Sequence, residues 1–126
     1  MSWFVKLIFS LSIFFLASCS SDYLINAIAE TEPVASSGDA ADDPAIVINF
    51  SNPAQSLIFG TDKRAGVYLY NLSGEKISYA SLGEINNIDV RQADNKIYVA
   101  ASNRTAQSIE FWEFNQQEFF KNIVYS

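Results

Sequence analysis

Asp39, Asp42 and Asp43 stand close together, and Pro44 follows them directly. Carboxylates this near one another repel unless a cation or several hydrogen-bond donors sit between them. Pro44 fixes its own φ and drives Asp43 toward extended geometry, which places the acidic pair at the mouth of a strand rather than on a helix face. Such a stretch suits oxygen ligation of a hard cation, and it also reads as an N-cap or as a solvated acidic turn.

The second group of candidates is cationic: Lys63 and Arg64 in GTDKRAG, and Arg104 in AASNR. A guanidinium takes two phosphate oxygens at once and an ammonium acts as a point charge, so both suit a phosphate ester. Lys63 and Arg64 taken alone also read as a solvated turn. The 126 residues include no His, so the commonest general base and the commonest zinc ligand are both absent. Hydrolysis would have to run on carboxylates, Lys, Tyr or a metal-activated water. With 14 acidic against 8 basic residues the net charge is -6, which argues against a nucleic-acid partner.

The elements that must position these residues are short and β-like. Apolar and branched runs at 45–50, 56–61, 66–72 and 76–80 predict four strands, and runs at 85–91, 96–102, 108–115 and 119–125 predict four more. Asn52 with Pro53, the stretch 62–66, and Ser73 with Gly74 supply turns. The two sets superpose at an offset of roughly 41 residues, inside the range of about 40 to 45 for a propeller blade. The offset sets Lys63 on Arg104, so both side chains should open on one rim. It also makes the aromatic alternation of SIEFWEF sheet packing rather than a ligand platform. Two blades leave open edges, since rings of this architecture close with roughly four to eight. The chain is therefore expected to be the front part of a longer protein.

Upstream, residues 1–18 read as an export signal: Lys6 supplies the positive start and an apolar run of signal-peptide length follows. The stretch Leu16, Ala17, Ser18, Cys19 resembles the bacterial lipoprotein signal, in which the cysteine becomes the acylated N-terminus. Cys19 is the single cysteine of the chain, and Ser20 after it resembles the sorting pattern for the outer membrane. Residues 19–41, poor in large apolar side chains after Ile28, read as a tether.

In order and spacing, DAADDPAIVIN, GTDKRAG, NNIDVR and AASNR resemble the N-terminal portion of the β-propeller phytases. The resemblance implies an all-β fold: the first two four-stranded blades of a six-bladed propeller in residues 42–126, behind the signal peptide and the lipid-anchored linker. It implies calcium as cofactor and phytate or another phosphomonoester as substrate. Carried over by position, Asp42 would ligate calcium at the catalytic centre. Asp43 would ligate calcium nearer the structural side, with the carbonyls of Pro44 and Ile88. Lys63, Arg64 and Arg104 match the phosphate-binding positions, and Asn86, Asn87, Asp89 and Arg91 would hold the loop that offers the Ile88 carbonyl. A metal-activated water would attack phosphorus without a covalent enzyme intermediate. The whole protein is expected to be a monomer, and the 126 residues alone to carry about half of a site. The alternative is a non-catalytic, calcium-stabilised propeller lipoprotein that binds a partner or a glycan.

Overall fold

A computed structural model describes residues 24–124. Residues 1–18, expected to be a signal segment, and Cys19, expected to be acylated, lie outside the described residues. The order is β1 (Ala41–Val47), a single 3-10 turn (Pro53–Gln55), β2 (Leu57–Asp62), β3 (Gly66–Asn71), β4 (Lys76–Ser81), β5 (Ile85–Ala93), β6 (Lys96–Asn103), β7 (Ser108–Asn115) and a helix, α1 (Gln116–Val124). All pairings are antiparallel between sequence neighbours, giving one sheet in the order β1-β2-β3-β4 and a second in the order β5-β6-β7.

Side chains alternate between faces along a strand, and one face of each sheet is apolar. Val47, Leu57, Val67 and Leu69 of the first sheet meet Ile85, Ile88, Val90, Ile97, Val99 and Ala101 of the second in one buried cluster. Burying an aliphatic side chain of this size stabilises by about 1.5–3 kcal/mol, so this seam is the main force holding the two sheets together. β3 is buried on both faces. Its Tyr68 and Tyr70 point away from the seam, and the segment ahead of β1 covers them: the Ala35 N–H donates to the Tyr68 hydroxyl at 3.0 Å. The second half of the expected tether is thus bonded to the sheet, with Glu32 N–H on the Gly74 carbonyl at 2.8 Å and Lys76 N–H on the Glu32 carboxylate at 2.9 Å. Gly74 sits at φ +87°, and a Cβ there would collide with the Glu30 carbonyl.

Turn chemistry matches the strands it joins. Asp94 and Asn95, with φ of 51° and 60°, form the two-residue turn between β5 and β6 that suits the natural strand twist. Gly66, at φ +152°, lets β3 start hard against the carbonyl of Ala80.

Two expectations are corrected. Strand β1 begins at Ala41 rather than at residue 45, so Asp42 and Asp43 lie inside it. The stretch expected to form an eighth strand at 119–125 is helical, and the second sheet has three strands. Asn115 explains the switch: its side-chain oxygen accepts from the N–H groups of Gln117 and Glu118, at 3.0 and 3.1 Å, which is an N-cap. The Gln, Glu and Lys that follow favour helix. Phe119, Phe120 and Ile123 then fall on one face, where the Phe119 ring lies 5.2 Å from that of Phe114 and 6.1 Å from that of Phe59.

Ile97 is fully buried in the seam and Ile109 is 71% exposed. Ile97→Ala should cost about 2–5 kcal/mol in urea unfolding, while Ile109→Ala should stay within about 0.5 kcal/mol of the parent protein.

Candidate functional site

At one end of the two sheets the chain makes the same device twice. In the first sheet Ala41 pairs with Asp62 and Pro44 with Gly60, which leaves Asp42 and Asp43 in a bulge. In the second, Ile85 pairs with Asn103 and Ile88 with Ala101, which leaves Asn86 and Asn87 in the corresponding bulge. A hydroxyl on the facing strand holds each one. Asp43 N–H donates to Thr61 Oγ1 at 2.8 Å, and Asn87 N–H donates to Ser102 Oγ at 3.0 Å. Loop ends repeat as well, with Lys63 N–H on the Ala40 carbonyl and Arg104 N–H on the Glu84 carbonyl, both at 2.9 Å. The frame is common to both sheets; the carboxylates belong to the first alone, and amides stand in their place in the second.

Around Asp42 the charges converge. Lys63 Nζ lies 2.8 Å from Asp39 Oδ2 and 3.6 Å from Asp42 Oδ1, with the lysine side chain only 20% exposed. The hydrogen bond from Lys63 holds the Asp39 carboxyl below the usual carboxylate range, aided by the Lys63 and Arg64 charges. The same bond to Asp39 raises Lys63, with Asp42 adding its charge. Arg104 reaches across from the second sheet and donates from Nη2 to the Lys63 carbonyl at 2.7 Å. Lys63 and Arg104 therefore do open on one rim, as the sequence offset required. Arg64 donates its backbone N–H to Asp62 Oδ1 at 3.0 Å, and its guanidinium passes beside Gly38.

Asp43 faces the second sheet. Its Oδ2 accepts from the Ile88 N–H at 3.0 Å, and Asp43, Pro44 and Ile88 line one open cleft with Asn87 and Asp89. Arg91 folds back on Asp89 at 2.9 Å and on the Val90 carbonyl, both on its own strand.

The structure gives three residues roles that their types alone do not announce. Asp39, one of the clustered carboxylates, is the nearest partner of Lys63. Asp62, fully buried, fixes the cationic loop by accepting from the N–H groups of Arg64 and Ser36. Thr61, 2% exposed, secures the acidic bulge. One signal was available for the loop: Asp62 and Asn103 occupy matching positions in the repeat, and Asx side chains there accept from loop N–H groups, Asn103 from Ala106 at 3.0 Å.

The donors at this rim are hard oxygens, which fit calcium in kind. They fall short in number: calcium takes about six to eight oxygen ligands, and among the described residues no group of three or more Asp, Glu, Cys or His is placed to enclose an ion. By that count the rim's oxygens could make up only part of a shell.

A family model described as Phytase matches residues 4–125. The chain belongs to the β-propeller phytases. The 3-phytase of Bacillus subtilis (strain 168) is similar to it, 38% identical over 88 residues that make up 66% of this chain. Those residues are 23% of that relative, so this phytase-family chain spans about a quarter of its length. The two antiparallel sheets are partial blades of the family's propeller; Asp42, Asp43 and Lys63 come from the first and Arg104 from the second.

The link between Asp39 and Lys63 has a pH signature. A lowered Asp39 contributes above the ordinary carboxylate value of 3.8 and loses its contribution as pH falls through its own lower value. A raised Lys63 contributes below the ordinary 10.5 and loses its contribution as pH rises through its own higher value. In Lys63→Met the Asp39 midpoint should climb back toward 3.8, as followed by carboxyl-carbon NMR during an acid titration.

Proposed function

We propose that this chain supplies the first-blade and second-blade part of a calcium-dependent phosphomonoester hydrolase that acts on phytate. The observation that carries the reading is the contrast between two matching bulges. Where the second blade has Asn86 and Asn87, the first has Asp42 and Asp43, with Lys63 3.6 Å from Asp42 and Arg104 bonded to the Lys63 carbonyl. A purely structural bulge has no use for that charge, because the amides of the second blade serve the same backbone.

Asp42 and Asp43 would hold calcium with their carboxylates, joined by the Pro44 and Ile88 carbonyls. Calcium, when bound, supplies a Lewis acid that polarises phosphate oxygens and activates water. The chain's own cations do the rest of the work at this rim. Lys63, Arg64 and Arg104 would orient the phosphate and offset the charge that builds on it as the ester bond breaks. Arg104 is half exposed: Nη2 donates to the Lys63 carbonyl at 2.7 Å and Nε lies 3.9 Å from the Glu84 carboxylate, so a phosphate would be met by the remaining N–H groups of its guanidinium. Lys63 would turn from Asp39 toward the phosphate, an exchange of one anionic partner for another.

The same proposal places the protein outside the cytoplasm. Export through residues 1–18, acylation at Cys19 and attachment to the outer membrane would hold the propeller at the membrane surface, where it would act as a monomer. No described helix is long and apolar enough to cross a membrane.

Phosphate release from phytate tests the reading. In the protein carrying the full set of blades, release should fall on chelation and return with added calcium, and Asp42→Asn should lower it by about a hundredfold or more. Calcium binding without any phosphate release would favour the non-catalytic, glycan- or partner-binding alternative. Because the described rim holds only part of a shell, the 126-residue chain by itself should bind calcium weakly and turn over little phytate.

A further inference from the structure

Thr61 is buried and carries no charge, yet its hydroxyl joins three pieces of backbone. Oγ1 accepts the Asp43 N–H at 2.8 Å and lies 2.9 Å from the Asn86 carbonyl, to which it donates its single proton. The Asp43 carbonyl, at 3.4 Å, is the longer of the two possible acceptors. One side chain on β2 thus ties the acidic bulge of the first blade to the amide bulge of the second. Asp43 closes the circuit from the other side, since its Oδ2 accepts from Ile88 N–H at 3.0 Å. The matching hydroxyl of the second blade, Ser102, accepts the Asn87 N–H in the same manner, so the bond that holds each bulge within its own sheet is a property of the repeat.

We infer that Thr61 is a positioning residue for the cation site: it sets the distance and orientation between the Asp43 carboxylate and the Ile88 backbone across the blade boundary. The inference rests on the reading of Asp42 and Asp43 as cation ligands. A bulged strand has lost part of its ladder and would otherwise let its two acidic residues move apart under mutual repulsion. Thr61 supplies the missing hydrogen bond from outside the strand. Its β-branch restricts the side-chain torsion, and with 2% exposure the hydroxyl has no water to turn to. Groups that orient a metal's ligands typically change metal affinity by about ten- to a hundredfold when removed.

The test uses the full 126-residue chain, calcium as the probe and three variants. Thr61→Val keeps the shape and removes the hydroxyl; Thr61→Ser keeps the hydroxyl; Ile97→Val trims the core at the far end of β6. Calorimetric calcium titrations should show Thr61→Val weakened by about tenfold or more, with Thr61→Ser close to the parent and Ile97→Val unchanged despite its lower Tm. Amide hydrogen exchange should quicken at Asp43 and Ile88 in Thr61→Val alone. Parent-like calcium affinity together with parent-like exchange in Thr61→Val would overturn the inference, as would an equal loss of affinity in Ile97→Val. Where the parent chain, with its part of a shell, binds calcium too weakly to titrate, the cation reading of Asp42 and Asp43 is decided by chelation of the protein carrying the full set of blades. Exchange then decides for Thr61: quickening confined to Asp43 and Ile88 supports the clamp, and unchanged exchange sinks it.

Discussion

The apolar seam between the two sheets is the constraint on which the rim depends. Val47 and Leu57 cannot be buried without Ile85, Ile97 and Val99 opposite them, and that contact sets β1 beside β5. Once those strands adjoin, their bulges adjoin too, and hydrogen bonds such as Asp43 to Ile88 become possible across the boundary. Apolar burial is non-directional and can bring sheets together at many offsets. The polar contacts at the rim are few, directional and short, and they select one offset. Core and site are in this sense a single solution: the first supplies the energy and the second the register.

Divergence of the two blades is concentrated where chemistry would be. Their pairing, hydroxyl clamps and loop-end hydrogen bonds repeat closely, while Asp42 and Asp43 give way to Asn86 and Asn87. Amides hydrogen-bond as well as carboxylates do but bring no charge, so the first blade accepts a repulsion that the second avoids. Lys63 offsets that repulsion in the structure described, and Asp39 shares the lysine with Asp42.

Most of the fold was legible because strands write themselves as short alternating runs between turn residues. The repeat offset was legible for the same reason, and it correctly set Lys63 and Arg104 on one rim. The final segment was misread because Phe119, Phe120, Ile123 and Val124 form an apolar set that suits either a strand or a short helix. The decision fell to Asn115, a cap whose effect lies in geometry rather than in hydropathy. At the site, charged residues announced themselves, but Thr61 did not. A threonine in a strand is ordinary, and only its position opposite an unpaired bulge gives its hydroxyl a task.

The stretch that leads into β1 ends with a mechanical consequence. Glu32, Ala35 and Ser36 are stitched to Gly74, Tyr68 and Asp62, with Lys76 returning a bond to Glu32. Tension arriving from upstream therefore meets these stitches one after another, on three strands of one blade, before any of it reaches Asp42. A chain tugged from its leading end would peel at Glu32 first and leave the acidic pair undisturbed until the last stitch gave way.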